Sequence, residues 1–167
     1  MERIFLDTKA MNRIVGERAK IESALDIQIK IGRTFVDISG EGLSEYTSLQ
    51  VLKAIEFGFD VQTSLLLKDE EYIMQTIPIK NYIGKSSKRL SQVKARVIGR
   101  QGGAIKNISL LGNCAIRLSG SIVLVIGRAE EIEGVLDSLI SLIKGSEHGN
   151  VYSRLERAGC EIRDSSK

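Results

Sequence analysis

The feature that most constrains this chain is an internal repeat. "RIVGERAKIESAL" at residues 13–25 precedes "IQIKI" (27–31) and "TFVDIS" (34–39), and "RVIGRQGGAIKNI" at 96–108 precedes "AIRL" (115–118) and "SIVLVIG" (121–127). Each copy must then be one supersecondary unit with its own apolar face to bury. The offset is 83 residues at Gly16 and Gly99 and 87 at Ile29 and Ile116, so the second copy carries about one more helical turn before its strand.

Read coarsely, both copies have the same order of elements. A first strand, near Glu2–Leu6 and again near Tyr72–Ile79, leads through a short helix to a glycine turn and a second helix. Two strands with β-branched alternation follow, such as Phe35 and Asp37 against Val36 and Ile38. A longer helix closes each unit: Ser44–Phe57, then Ala129–Lys144, where Ile132, Val135, Leu136, Leu139, Ile140 and Ile143 form one stripe. The pattern predicts β-α-α-β-β-α twice, an α+β fold with two three-stranded antiparallel sheets packed on helices. The domains are expected at 1–66 and 67–167. Segment 58–71 reads as a partly helical linker with Leu65–Leu67 packed between the units. The end reads as a helix, "HGNVYSRLER", fading after Arg157 into a polar tail.

Composition narrows the function classes. With 43% hydrophobic residues, 167 residues can bury one ordinary core or two small ones. No apolar run approaches the roughly 18 residues of a membrane span, and no signal-peptide stretch follows "MERIFLDTK". The expectation is a soluble, cytoplasmic, monomeric protein. Two cysteines, Cys114 and Cys160, and one histidine, His148, are too few and scattered for zinc. Both cysteines are expected as buried free thiols, with no metal and no cofactor.

Charge is unevenly divided. Residues 1–70 hold nine Lys or Arg against twelve Asp or Glu, a net of −3, and residues 71–167 hold fifteen against nine, a net of +6. Between Tyr72 and Ala129 there is no acidic residue, while Lys80, Lys85, Lys88, Arg89, Lys94, Arg96, Arg100, Lys106, Arg117 and Arg128 all fall there. Such a window suits a polyanion.

Inside that window sits "VIGRQGG". Gly99 and Gly102 allow a tight turn with no Cβ in the way of a phosphate backbone. A helix beginning at Gly103 would aim its unpaired N–H groups and positive dipole end into the turn, and Arg100 adds a charged donor. Val97, Ile98, Ile105 and Ile108, with Ile116 and Leu118 from the next strand, are candidates for a narrow apolar groove that fits unstacked bases and not a duplex.

"VIGRQGG" within β-α-α-β-β-α resembles the G-x-x-G loop of a type I KH domain, preceded by its usual "ARVIG" helix end. Two tandem KH domains are therefore expected. In the first copy the turn is Gly16, Glu17, Arg18, Ala19: alanine replaces the second glycine and a carboxylate stands where phosphate would approach. That unit is expected to be degenerate, suited to packing or protein contacts, with Arg13, Arg18 and Lys20 as a weaker auxiliary surface. The run "DEEYIMQTIPIKNYIGKSSKRLSQVKARVIGRQGGAIKNISLLGNCAIRLSGSIVLVIG" joined to "HGNVYSRLER" is similar to the archaeal KH proteins of ribosomal RNA processing, counterparts of the eukaryotic partner-of-Nob assembly factors. That resemblance implies binding of about four nucleotides in the 3′ region of small-subunit ribosomal RNA. It also implies as partners the endonuclease Nob and a translation initiation factor. The family's loop carries over to Gly99, Arg100, Gln101 and Gly102, with Ile98, Ile105, Ile116 and Arg117 as groove contacts and Lys94, Arg96 and Lys106 as flanking cations.

Other chemistries have less in their favour. "IGKSS" at 83–87 looks like the end of a phosphate-binding loop, but G-x-x-x-x-G-K-[ST] needs glycine where Ile79 stands. Lys85, Lys88 and Arg89 then belong to the basic face. His148 has no acid or nucleophile in recognisable spacing and reads as structural, at the start of the last helix; Tyr152 and Arg154 remain open as RNA or partner contacts. No carboxylate cluster in the basic window suits a metal-dependent nuclease. No catalytic residue is expected. A protein-interaction scaffold tethered to RNA is the alternative.

Overall fold

A computed structural model describes residues 2–165; the side chains of Cys160 and of residues 162–165 lie outside the description, and with them the expectation for the Cys160 thiol. The chain divides into two compact units between Tyr72 and Ile73.

The first unit runs β1 (Glu2–Phe5), α1 (Thr8–Gly16), α2 (Arg18–Leu25), β2 (Gln28–Ile31), β3 (Phe35–Ser39), α3 (Gly42–Phe57) and α4 (Val61–Leu65). Asp7 starts α1, its Oδ1 accepting from the Ala10 N–H at 2.7 Å, which satisfies one orphan donor of the first turn. The sheet order is β1-β3-β2, all antiparallel. Period-2 alternation sends Ile29, Val36 and Ile38 into a core with Ile14, Ile21, Val51, Leu52 and Ile55. On the other face Arg3 is paired in register with Asp37, and its Nε and Nη2 donate to Oδ1 and Oδ2 at 2.6 and 2.9 Å. That guanidinium holds the Asp37 carboxyl below the usual carboxylate range.

Segment 58–71 is partly helical, as expected, with α4 followed by a 3₁₀ turn at Leu66–Lys68. Leu65 and Leu67 pack against the first unit's core and Leu66 is exposed. These short helices finish the first unit, which is why the division falls after Tyr72 and not at 66/67.

The second unit runs β4 (Tyr72–Pro78), α5 (Lys80–Ile83), α6 (Ser87–Ile98), α7 (Gly103–Leu111), β5 (Ala115–Ser119), β6 (Ile122–Arg128), α8 (Ala129–Lys144) and α9 (His148–Ser165). Its sheet order, β4-β6-β5, repeats that of the first unit. The fold class is therefore the expected one. Val123 and Val125 of the central strand meet Val97, Ile108, Ile132, Val135 and Leu139 in one core. The expected α8 stripe gains Leu142, while Leu136 and Ile140 are only partly buried at its edge. Truncating one of the fully buried aliphatics to Ala would cost about 2–5 kcal/mol.

Past Arg157 the helix does not give way to a tail. Helix α9 continues to Ser165, anchored on the core by Val151 and Leu155. Where α9 passes α8, Gly134 faces Ala158, and a Cβ added at Gly134 would lie 3.9 Å from the Ala158 Cβ. Among the described residues no helix is long and apolar enough to cross a membrane.

Candidate nucleic-acid interface

Helix α6 begins in the lysine-rich segment that resembled a phosphate loop. Ser86 is its N-cap, its Oγ accepting from the Arg89 N–H at 3.3 Å, so "KSS" starts a helix and the Ser86 hydroxyl is engaged as its cap. Val93 and Val97 fix the buried face of α6. Lys94 and Ile98, one turn apart, share the neighbouring face that leads to the turn.

The turn itself is built from left-handed backbone. Gly99 has φ 73°, Gln101 φ 53° and Gly102 φ 74°, with a single 3₁₀ turn over Arg100–Gly102. Gly99 is required twice over: an added Cβ would stand 2.5 Å from the Ala104 Cβ and 2.6 Å from the Ala104 nitrogen. Gly102 has open space around it and needs only its φ. Gly102 is also the N-cap of α7 and no side chain caps that helix, so its first turn opens toward the exposed Arg100 and Gln101. A helix start with no side-chain acceptor and a positive dipole end suits an anion.

The corresponding turn of the first unit is physically different. Gly16 ends α1, Glu17 alone separates it from α2, and none of Gly16, Glu17, Arg18 or Ala19 has positive φ. Its charges are already paired, Lys20 Nζ to Glu17 Oε2 at 3.0 Å and Arg18 Nε to Glu22 Oε1 at 3.0 Å. A second claim is made on Glu22, whose Oε1 also accepts from the Ile29 N–H at 2.7 Å; these bonds draw its carboxyl below the usual range. Arg13 donates to the Ile55 carbonyl at 2.9 Å.

Of the eleven residues singled out from the sequence, the fold gathers most but not all at the Gly99–Gly102 turn. Gly99, Arg100, Gln101 and Gly102 form it; Ile98, 37% exposed, and the exposed Lys106 flank it, with Lys94 and Ile105 half-buried beside them. Ile116 is 7% exposed and belongs to the core. Arg117, the next residue of β5, lies on the opposite face of the sheet, because alternate residues of a strand point to opposite faces. Arg96 is committed to the fold: its Nη2 donates to the Gly145 carbonyl at 2.9 Å and to the Ser146 carbonyl, closing the end of α8. The Arg96 carbonyl in turn lies 3.0 Å from the His148 Nε2, which gives His148 its structural role. Arg154 donates to Ser141 Oγ at 3.2 Å and Tyr152 packs at the core edge. Sequence reading missed Ala104, the small residue that Gly99 must touch; a small side chain two positions after the second glycine was the available signal. Among the described residues no cluster of three or more His, Cys, Asp or Glu could hold a metal ion.

Comparison with known proteins agrees with this geometry. Residues 73–159, just over half of the chain, match the second KH domain of PNO1, described as a eukaryotic-type KH domain (KH-domain type I). The KH domain-containing protein MJ0443 of Methanocaldococcus jannaschii is 22% identical over 161 residues, which cover 90% of this chain and 70% of that protein. The pre-rRNA-processing protein PNO1 of Saccharomyces cerevisiae is 27% identical over 114 residues, and the chain spans only 42% of its length. A crystal structure of the Aeropyrum pernix protein of unknown function APE0754 superimposes with a TM-score of 0.84 at 25% identity, covering 99% of this chain and 94% of that one. The a/eIF2alpha-aDim2p-rRNA complex of Pyrococcus horikoshii contains a chain that superimposes with a TM-score of 0.82 at 24% identity, covering 96% of this chain and 94% of that one. The chain belongs to the PNO1 family of eukaryotic-type, type I KH-domain proteins.

Proposed function

We propose that this chain is a single-stranded-RNA-binding factor of small-ribosomal-subunit assembly, gripping the 3′ region of small-subunit ribosomal RNA through Gly99–Gly102 and catalysing nothing itself. The observation that carries the reading is the left-handed turn opening onto the uncapped start of α7, inside a segment without a single carboxylate. Phosphates would sit against the turn and the helix start, with Ile98 and Ile105 as the apolar neighbours of the bases. The pre-rRNA-processing name of the PNO1 relatives and the rRNA complex that contains a similarly folded chain support a ribosomal RNA as the ligand. The same complex supports the alpha subunit of a translation initiation factor as a partner. A cytoplasmic monomer that presents the RNA end to a nuclease such as Nob completes the proposal.

The test is binding of a short RNA copied from the 3′ end of small-subunit ribosomal RNA against a scrambled control. Changing Arg100 and Gln101 to Asp should cost at least tenfold, because each lost charge-assisted bond to phosphate is worth about 1.5–3 kcal/mol. Equal affinity for both RNAs would overturn the ribosomal assignment, and unchanged affinity in the variant would overturn the turn as the grip. The scaffold reading keeps one observation in its favour: the first unit's turn has its charges paired internally, which leaves that unit for protein contact. Loss of partner binding with RNA affinity unchanged would select it.

A further inference from the structure

The far end of α7 presents the opposite surface. Nine residues of helix separate the glycine turn from Leu111, about 13 Å at 1.5 Å per residue. There a cavity of about 670 Å³ opens between the end of α7, the first half of α8 and α9. Leu110, Leu111, Leu155 and Ala158 supply its apolar lining. Leu110 is 80% exposed, although a large aliphatic on a helix is ordinarily turned inward. Around the leucines stand Glu130, Glu133, Asp137 and Glu161, and among the described residues no Lys or Arg lines the cavity.

Not all of these acids are explained by the fold. Glu130 and Glu131 lie in the first turn of α8, where the helix dipole favours them, and Glu131 also accepts from the Asn113 side chain at 3.1 Å. Glu133 and Asp137 lie beyond that turn, one helical turn apart, where two like charges repel each other. Neither makes an ion pair among the described residues. Among the described residues the rim over this apolar floor is acidic throughout, which disfavours RNA and selects a partner of opposite charge.

We infer that this groove docks a Lys/Arg-rich amphipathic helix of a partner protein, its aliphatic face on Leu110, Leu111 and Leu155 and its cations against Glu133 and Asp137. This is the helix-in-groove mode, in which apolar anchors supply affinity and charges fix the register. The inference is independent of the RNA reading.

The experiment uses the full chain and three labelled 18-residue helical peptides: one with leucines at i, i+3, i+4 and i+7 and lysines elsewhere, a scrambled version without the stripe, and a version with glutamates for lysines. Fluorescence anisotropy should show the first binding at least tenfold more tightly than the other two. Methyl NMR shifts should be confined to Leu110, Leu111 and Leu155. Leu110→Ser should weaken binding at least fivefold, and Glu133→Gln with Asp137→Asn at least tenfold, while RNA affinity is unchanged in both variants. Relief of repulsion should leave the double variant at least as heat-stable as the parent, so loss of binding cannot be traced to unfolding. Equal binding of the striped and scrambled peptides, or indifference to Leu110→Ser, would overturn the inference in favour of plain charge attraction. Self-association of the chain that is abolished by the same substitutions would overturn it in favour of a second copy as occupant.

Discussion

Gly99 and Gly102 look equivalent in sequence and are not equivalent in space. Alanine at 102 meets open space and costs only the left-handed penalty, about 1–2 kcal/mol. Alanine at 99 meets a backbone of φ 73° and ψ 177°, which is essentially restricted to glycine, and also drives its Cβ into Ala104, so α6 and α7 must separate. The expected outcome is that Gly99→Ala lowers the melting temperature more than Gly102→Ala. A Gly99→Ala, Ala104→Gly double variant should recover part of the difference, because the 2.5 Å contact is then removed. Cys114 gives a second residue-scale prediction. Burial, with the Glu131 charge nearby, pushes its thiol from the ordinary 9.0 up to about 12. Between those values the unfolded chain loses a proton that the folded chain keeps, so stability falls as pH rises, by up to about 1.4 kcal/mol per unit. The contribution is fully present below pH 9. Denaturant titrations from pH 8 to 11 should show this decline in the parent and a shallower one in Cys114→Ala.

Elements decide what a residue is available for, and here Arg96 and Arg100 part company. The two cations lie four positions apart in sequence, but Arg96 is spent on the carbonyls that end α8 while Arg100 faces solvent. Arg96→Gln is expected to cost about 1–3 kcal/mol of stability with RNA affinity of the folded protein kept. Arg100→Asp should do the reverse. Thermal melts beside anisotropy titrations separate the two roles. The same contrast marks how much was legible beforehand. The order of elements, the repeat and the Gly99–Gly102 turn are local patterns, and the sequence carries them openly. Arg96 bonds a carbonyl 49 residues away, which no local pattern announces. Ile116 and Arg117 are both expected at the groove by resemblance, yet as neighbours on one strand they face opposite ways, and the pattern alone does not say which is inward. Polar residues after Arg157 looked like a tail because the last turns of a half-exposed helix carry few apolar anchors, and Leu155 is the last fully buried one described.

At the scale of the whole molecule the question is whether RNA meets the turn or the entire basic window. The window holds ten cations from Lys80 to Arg128, but the fold does not present them together: Arg96 closes α8 and Arg117 lies on the far face of its sheet. A KH turn clamps about four nucleotides, hence about three or four phosphates. For single strands the slope of log affinity against log salt is about −0.7 per phosphate neutralised. A turn-centred grip therefore predicts a slope of roughly −2 to −3. Engagement of all ten cations would give roughly −7. Replacing Arg100 with Asp removes one phosphate contact and should flatten the smaller slope by about 0.7, a large fraction of it, whereas the same change would be a small fraction of the larger one. A salt series from 50 to about 300 mM on the parent and this variant separates the two pictures, and a slope near −7 insensitive to Arg100 would show that the turn is not where the RNA is held.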